Sequence, residues 1–308
     1  MGSRIAIVVR PGCDDERLST LRRIVDRLRG DGHRVSVRLT FEPGDGASFA
    51  RSAARSGADL ILAAGGDGTV NEVVNGVGRL RRRRPSIGIL PFGTANDFAS
   101  GLGLPFDPDE AAAVALTGRP LRVDVGRVNR RLFVNVSTGG FGAEATEQVS
   151  NERKRQLGPL AYLLSGVREF VELNPIRGRF LVDGRRFYAG NFLLFAVGNG
   201  WQTGGGNLVT PWAKLDDGAL DLLIITAHSR LALLALLPEL RAGTHIDLPG
   251  VLYTQAREIV VEAGEELAVN ADGEPLRSRR LQYTADPGAV TVMVSWPEVE
   301  REAARRRP

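Results

Sequence analysis

The densest chemistry in this 308-residue chain is Gly65-Gly66-Asp67-Gly68-Thr69, followed by Val70-Asn71-Glu72. Glycines there let the backbone approach a ligand closely and take positive φ angles. Where such a turn opens a helix, its free N–H groups favour an anion. Asp67 then stands where a phosphate would sit, and alone it would repel one. The pairing implies a divalent cation between them, and Mg²⁺ takes one or two carboxylates together with phosphate oxygens and waters. The plainer alternative is a turn in which Asp67 caps the helix and the glycines only save space. Two glycines and an aspartate ahead of Gly-Thr make that the weaker reading.

Three further clusters carry polar groups at strand ends or turns. In Pro91-Phe92-Gly93-Thr94-Ala95-Asn96-Asp97-Phe98, Thr94 and Asn96 offer donors to phosphate, and Asp97 can hold a metal-bound water. A helix cap by Thr94 or Asn96 explains the same residues about as well when they are taken alone. In Asn270-Ala271-Asp272-Gly273-Glu274-Pro275, Asp-Gly reads first as a hairpin turn with Glu274 solvated. The functional reading makes Glu274 a general base that takes the proton from an attacking hydroxyl. Lys214-Leu215-Asp216-Asp217-Gly218-Ala219 reads best as a turn, with a structural cation site on Asp217 and neighbouring carbonyls as the alternative. Gly204-Gly205-Gly206 just before it requires a flexible or tightly folded loop.

The elements that must position these clusters are legible from periodicity. Residues 4–9 (RIAIVV), 33–40, 58–66 and 86–93 read as strands, and helices are expected from Asp15, over 47–56 and over 69–77. In the first helix Leu18, Leu21, Ile24, Val25 and Leu28 fall on one face, with Gly30 and Gly32 as stops. This alternation predicts a doubly wound parallel sheet, whose ligands bind at the carboxyl ends of its strands. After about residue 122 the rhythm changes to strands joined by tight turns, among them a hairpin at Asp183-Gly184. Two helices, near 157–173 and 229–242, interrupt them. The expected fold is thus α/β plus β: a doubly wound α/β domain over 1–122 and an antiparallel β-sandwich over 123–287.

Composition excludes several classes. With 43% hydrophobic and 25% charged residues the chain carries a full core. No apolar run approaches the ~18 residues that span a bilayer, and the N-terminus is a poor signal peptide. A single cysteine, Cys13, excludes an intrachain disulfide, and three histidines make a histidine-rich metal site unattractive. The expected compartment is the cytosol. All but two of the 40 basic residues are arginine, and neither Lys154 nor Lys214 lies in a GxxxxGK[ST] loop, so any phosphate chemistry proceeds without a P-loop lysine. The arginine clusters at 79–84 and 305–307 read first as solvated, with anionic lipid as an alternative. Aromatics are 6% and no nucleic-acid motif accompanies the arginines, so nucleic acid is not an expected partner. Oligomeric state stays open, a homodimer included.

GGDGTVNEVVNG, PFGTANDFA, GNGWQTGGG with KLDDGALDLLI, and NADGEPL, in that order, resemble the diacylglycerol kinase catalytic family, and within it the YegS-like bacterial lipid kinases. The resemblance runs from Ile5 to about Trp296. It implies an ATP-dependent lipid kinase acting at the inner membrane surface on diacylglycerol, phosphatidylglycerol or a similar lipid. It also implies a last strand, about 288–308, returning to the first domain. By resemblance, Gly65, Gly66, Asp67, Gly68, Thr69, Val70 and Asn71 line the ATP phosphates, with Pro11, Thr40 and Thr94 as further nucleotide contacts. Glu274 matches the proton acceptor, and Asp67 and Asp97 match carboxylates that organise Mg²⁺ through water. Asp217, with the carbonyls of Lys214 and Ala219, matches a second, structural Mg²⁺ site. One departure is Arg10-Pro11-Gly12-Cys13-Asp14 where the family has Asn-Pro-x-Ser-Gly. The rivals are an NAD-kinase-like enzyme on a soluble substrate and a non-catalytic lipid-binding regulatory protein. The central expectation is that Glu274 comes within reach of the triphosphate.

Overall fold

The computed structural model describes residues 2–10, 15–80, 84–142, 175–226 and 238–295. The chain divides into two compact units, Met1–Val123 with Gly288–Pro308, and Asp124–Pro287.

In the first unit four parallel strands lie side by side: β1 (Arg4–Val9), β2 (Arg34–Leu39), β3 (Leu60–Gly65) and β4 (Ser86–Pro91), in the order β2-β1-β3-β4. Parallel strands need long crossovers, and the intervening segments supply helices. These are α1 (Asp15–Gly30), α2 (Asp45–Arg55) and α3 (Asp67–Val77). On α1, Leu21, Ile24, Val25 and Leu28 are buried against the sheet, whereas Leu18 at the start of the expected stripe is 46% exposed. β1, β3 and β4 are apolar nearly throughout because helices cover the sheet. Two short helices were not legible in advance, α4 (Asp97–Gly101) and α5 (Pro108–Thr117). Asp107 caps α5 by accepting from the N–H groups of Asp109 and Glu110, both at 2.9 Å, ahead of Pro108 in the first turn.

Among the described residues of the second unit, the strands pair antiparallel. The strands are the end of β5 (Arg119–Val128), β6 (Arg131–Phe133), β7 (Val136–Gly142), β8 (Ile176–Val182), β9 (Arg185–Gly198), β10 (Leu220–Thr226), β11 (Val251–Ala256), β12 (Glu258–Ala271) and most of β13 (Glu274–Val294). The long strands β9 and β12 each pair with β8 at one end and β7 at the other. β12 changes partner across an irregularity between Glu262 and Leu267, which is how a strand turns the corner between two layers. Phe180, Phe192 and Phe195 fill the space between, edge to face, with Phe133 and Tyr283 beside them. The expected Asp183-Gly184 hairpin joins β8 to β9 with φ values of 48° and 77°, the signature of a type I′ turn. β11 was not foreseen; of the runs REIVVEAG (257–264) and LAVNADGEPL (267–276), which read from sequence as separate strands, the first and residues 267–271 of the second are one strand, β12, and the rest of the second crosses the Asp272-Gly273 turn into β13. Of the expected helices, the one near 157–173 lies outside the described residues; of the other, residues 238–242 are helical and the earlier part lies outside them.

Candidate functional site

Gly65 ends β3, Gly66 is the extended N-cap of α3, and Asp67 is the first helical residue. A side chain at Gly65 would collide with the Thr69 hydroxyl, so the turn closes only over a glycine. The next strand end, after β4, folds against this turn. A Cβ on Gly93 would run into Gly66 Cα, and one on Gly66 would stand 3.0 Å from Gly93 Cα. Asn96 takes a left-handed conformation (φ 50°), accepting from the Gly93 N–H at 3.0 Å and donating to its carbonyl at 2.9 Å. Asp67 joins the two loops, its carboxylate accepting from the Asp97 N–H at 3.1 Å and the Phe98 N–H at 2.9 Å. Neither cap reading holds as stated: Asp67 caps α4 rather than its own helix, and the Asn96 side chain braces its own loop instead of capping a helix.

The remaining nucleotide candidates divide by exposure. Thr69, Asn71, Asn96 and Asp97 are buried, each at 6% exposure or less. Val70 packs in the core, and Thr94 is exposed on the β4–α4 loop. Thr40 directly follows β2, where its hydroxyl donates to the Val9 carbonyl at 3.3 Å. Asn71 accepts from Asn75 at 2.9 Å. Pro11 lies outside the described residues. Glu72, which no sequence argument singled out, accepts from the N–H groups of Gly44 and Gly46 and so holds the start of α2 against α3.

Within the second unit, Glu274 opens β13 directly after the Asp272-Gly273 turn, whose φ values of 48° and 89° repeat the type I′ signature. Its carboxylate is about half exposed and pairs with Arg131 at 3.0 Å. Asp272 was missed as a working residue. Its carboxylate accepts from three consecutive N–H groups, those of Val134, Asn135 and Val136, and fixes the turn to the β6–β7 connection. Asn199, in the GNG segment, continues the brace by donating to the carbonyls of Val134 and Asp124. Asp124, 2% exposed, then accepts from the Gly218 N–H at 2.6 Å. One hydrogen-bonded chain thus ties the Glu274 turn to the loop of Lys214, Asp217 and Ala219. The signal that could have found Asp272 is the turn itself, because Asp at a turn often bonds nearby backbone.

In that loop Asp217 accepts from the Ala219 N–H at 3.1 Å and from Gln255 at 2.7 Å. Asp221 is nearly buried. Desolvation pushes its carboxyl up to about 6, opposed by hydrogen bonds from Tyr253 and Gln255 and reinforced by the charge of Asp217. Among the described residues no three His, Cys, Asp or Glu side chains converge as a metal cluster. A hard cation here fits only with main-chain carbonyls completing the oxygen set, and Lys214 and Ala219 can supply them. Asp67 and Asp97 in the first unit offer the two carboxylates that Mg²⁺ takes beside phosphate and water. The Gly204-Gly205-Gly206 loop is tightly folded, all three residues at positive φ and Asn207 donating to the Gly204 carbonyl at 2.9 Å.

Residues 6–128 match the diacylglycerol kinase catalytic domain, and residues 135–294 the YegS C-terminal NAD kinase beta sandwich-like domain. A "Probable lipid kinase YegS-like" protein of Chromohalobacter salexigens is 42% identical, over 89% of this chain and 88% of its own length. Another so named, from Pseudomonas aeruginosa, is 41% identical over 88% of each. A crystal structure from Bacillus anthracis str. Sterne superimposes with a TM-score of 0.83 at 30% identity, covering 95% of both chains. An NAD kinase from Archaeoglobus fulgidus, at 16% identity and a TM-score of 0.57, shares the fold alone. An α/β domain followed by a β-sandwich, with these relatives, defines a kinase. The chain belongs to the diacylglycerol kinase catalytic-domain family, on its YegS-like branch. Membership implies use of ATP. Among the described residues no helix is long and apolar enough to cross a membrane.

Proposed function

We propose that this protein transfers the γ-phosphate of ATP to a hydroxyl of a membrane lipid, diacylglycerol, phosphatidylglycerol or a similar alcohol, from the cytoplasmic face of the membrane. The observation that carries the reading is the interlocked turn of Asp67, in a chain of this family. Two glycine-rich loops meet there without side chains between them, and the N–H groups of the first turn of α3 suit a phosphate group. Gly65, Gly66, Gly68, Thr69, Val70 and Asn71 form the phosphate cradle, with Pro11, Thr40, Thr94 and Asn96 as outlying nucleotide contacts. Asp67 and Asp97 would hold Mg²⁺ through water, and Asp217 with the Lys214 and Ala219 carbonyls would hold a second ion. The metal supplies charge neutralisation on the transferring phosphoryl group.

Glu274 acts as general base. It takes the proton of the lipid hydroxyl as that oxygen bonds to the γ-phosphorus, the bond from phosphorus to the bridging oxygen breaks, and ADP leaves. The half-exposed Arg131 pair supports this role, since it orients Glu274 without burying it. No P-loop lysine is required.

Glu274→Gln tests the assignment. With radiolabelled ATP and mixed-lipid vesicles, lipid phosphorylation should fall on the order of 10²- to 10⁴-fold while ATP still raises the melting temperature. Near-normal turnover would remove Glu274 as the base. Mass spectrometry of products from a total-lipid extract names the acceptor. Label entering NAD in place of lipid would overturn the lipid reading.

A further inference from the structure

Arg131 is fixed opposite Glu274 from both ends of a very short strand. β6 begins at Arg131, whose register partner across a two-residue turn is Val128. Asn129 holds that turn at φ 52° and binds it to β13. Its N–H donates to the Gln282 carbonyl at 2.8 Å, its side-chain oxygen accepts from the Gln282 N–H at 3.0 Å, and its side-chain amide donates to the Arg280 carbonyl at 3.4 Å. At the other end Leu132 and Phe133 are buried, and Asp272 grips the N–H groups that follow. The backbone of Arg131 is therefore tied to the turn and strand that carry Glu274. The resulting pair joins side chains 47% and 48% exposed, and such a pair adds little to stability. Stability does not account for so much bracing behind so weak a pair. Among the described residues the guanidinium donates only through Nη1, to Glu274 Oε2 at 3.0 Å, and Glu274 Oε1 accepts from none.

We propose that Arg131 is a catalytic residue that passes from Glu274 to the transferred phosphoryl group. The inference rests on the reading of Glu274 as general base. The lipid hydroxyl then lies within ~2.6–3.2 Å of Oε1, the reach of such a base. As its O–H bond breaks, the proton goes to Oε1, the oxygen bonds to the γ-phosphorus, and the bond from that phosphorus to the bridging oxygen of ATP breaks. Glu274 becomes a neutral acid, so the charge that held Arg131 is gone at that moment. Negative charge now lies on the phosphate ester, one bond from the oxygen that gave up its proton. The open N–H groups of Arg131 take its oxygens, in the planar geometry that a guanidinium offers phosphate. The contact is stronger in the transition state than before it, which is the condition for raising turnover rather than affinity. The half exposure of the pair belongs to this role, because a solvated arginine changes partner without leaving a buried charge behind.

Single-turnover transfer from radiolabelled ATP to mixed-lipid vesicles, with the full-length protein, tests this. Arg131→Ala should slow transfer on the order of 10- to 100-fold, the range of a hydrogen bond to a charged group. Its melting temperature should match the parent's, with ATP and without it. Arg131→Met keeps the apolar stem and should be as slow, so lost packing does not account for the effect. A double variant separates contact from positioning. Glu274→Gln combined with Arg131→Ala should transfer about tenfold more slowly than Glu274→Gln alone. If the two are equally slow, Arg131 acts only through Glu274 and the proposal falls. Transfer by Arg131→Ala within about twofold of the parent overturns it as well, being far below the expected range. Both results leave the Glu274 reading standing. Near-normal transfer by Glu274→Gln removes the base, and this inference with it.

Discussion

At the scale of single residues, Asp67 serves two demands with one carboxylate. It closes the β4–α4 loop by accepting two backbone N–H groups, and it is the acid assigned to the metal. The two roles separate by substitution. Asp67→Ala loses both and should destabilise the protein by about 1–2 kcal/mol, the usual cost of a lost cap, besides abolishing phosphoryl transfer. Asp67→Asn keeps one acceptor oxygen, so it should melt closer to the parent while its turnover needs more Mg²⁺. Thermal melting beside a Mg²⁺ titration of turnover distinguishes them, and unchanged Mg²⁺ dependence in Asp67→Asn would remove the metal role. Glu274 is the opposite case. Its ion pair with Arg131 joins two side chains each about half exposed, and such pairs add little to stability, so a change in Glu274 reads on chemistry.

At the scale of elements, function depends on how closely two turns approach. A Cβ on Gly93 would enter the van der Waals envelope of Gly66 Cα, which is backbone and cannot swing aside. Gly93→Ala should therefore push the β4–α4 loop off the β3–α3 turn, breaking the Asp67 hydrogen bonds as well. The expected outcome is a loss of 1–3 kcal/mol, as for overpacking, with loss of ATP-induced stabilisation; melting with and without Mg²⁺-ATP checks it. In the sandwich, Asp272→Ala leaves three consecutive N–H groups without their acceptor. It should cost about 1–3 kcal/mol by urea unfolding and reduce turnover though Glu274 is intact. The four parallel strands and their helices were legible because each is one apolar run or one helical stripe. α4 was not, because five residues carry no period and its start is set by Asp67, thirty positions earlier in sequence. β12 was read as two pieces because its polar middle, Gly264-Glu265-Glu266, lies at the irregularity where the strand changes partners. The motif residues could be picked out by type and Asp272 by its turn, but Asp124 and Asn199 could not. Their work is done through partners distant in sequence, as in the Asn199 bonds to Asp124 and Val134.

At the scale of the whole molecule, the first unit is not finished by its first 123 residues. The last part of β13 runs parallel to β4, with Val292 opposite Ile87. Ala289, Val290, Val292 and Val294 are buried, and Met293 packs against the core of that unit. Arg84 reaches the Ala289 carbonyl, and Arg122 the Gly288 carbonyl at 3.5 Å. β4 is the strand whose end carries Gly93, Asn96 and Asp97, so without its partner it becomes an exposed sheet edge directly beneath the candidate site. A chain ended after Pro287 keeps every residue of the GGDGT and PFGTAND segments and of the Glu274 turn. It should nonetheless lose ATP-induced stabilisation and tend to aggregate through the bared edge. A chain ended after Ser295 should keep both properties of the parent, because the pairing strand is then complete. Thermal melting with and without Mg²⁺-ATP, beside light scattering, compares the two. If the shorter chain gains as much from ATP as the longer one, the loops hold their geometry without the returning strand, and its burial serves stability alone.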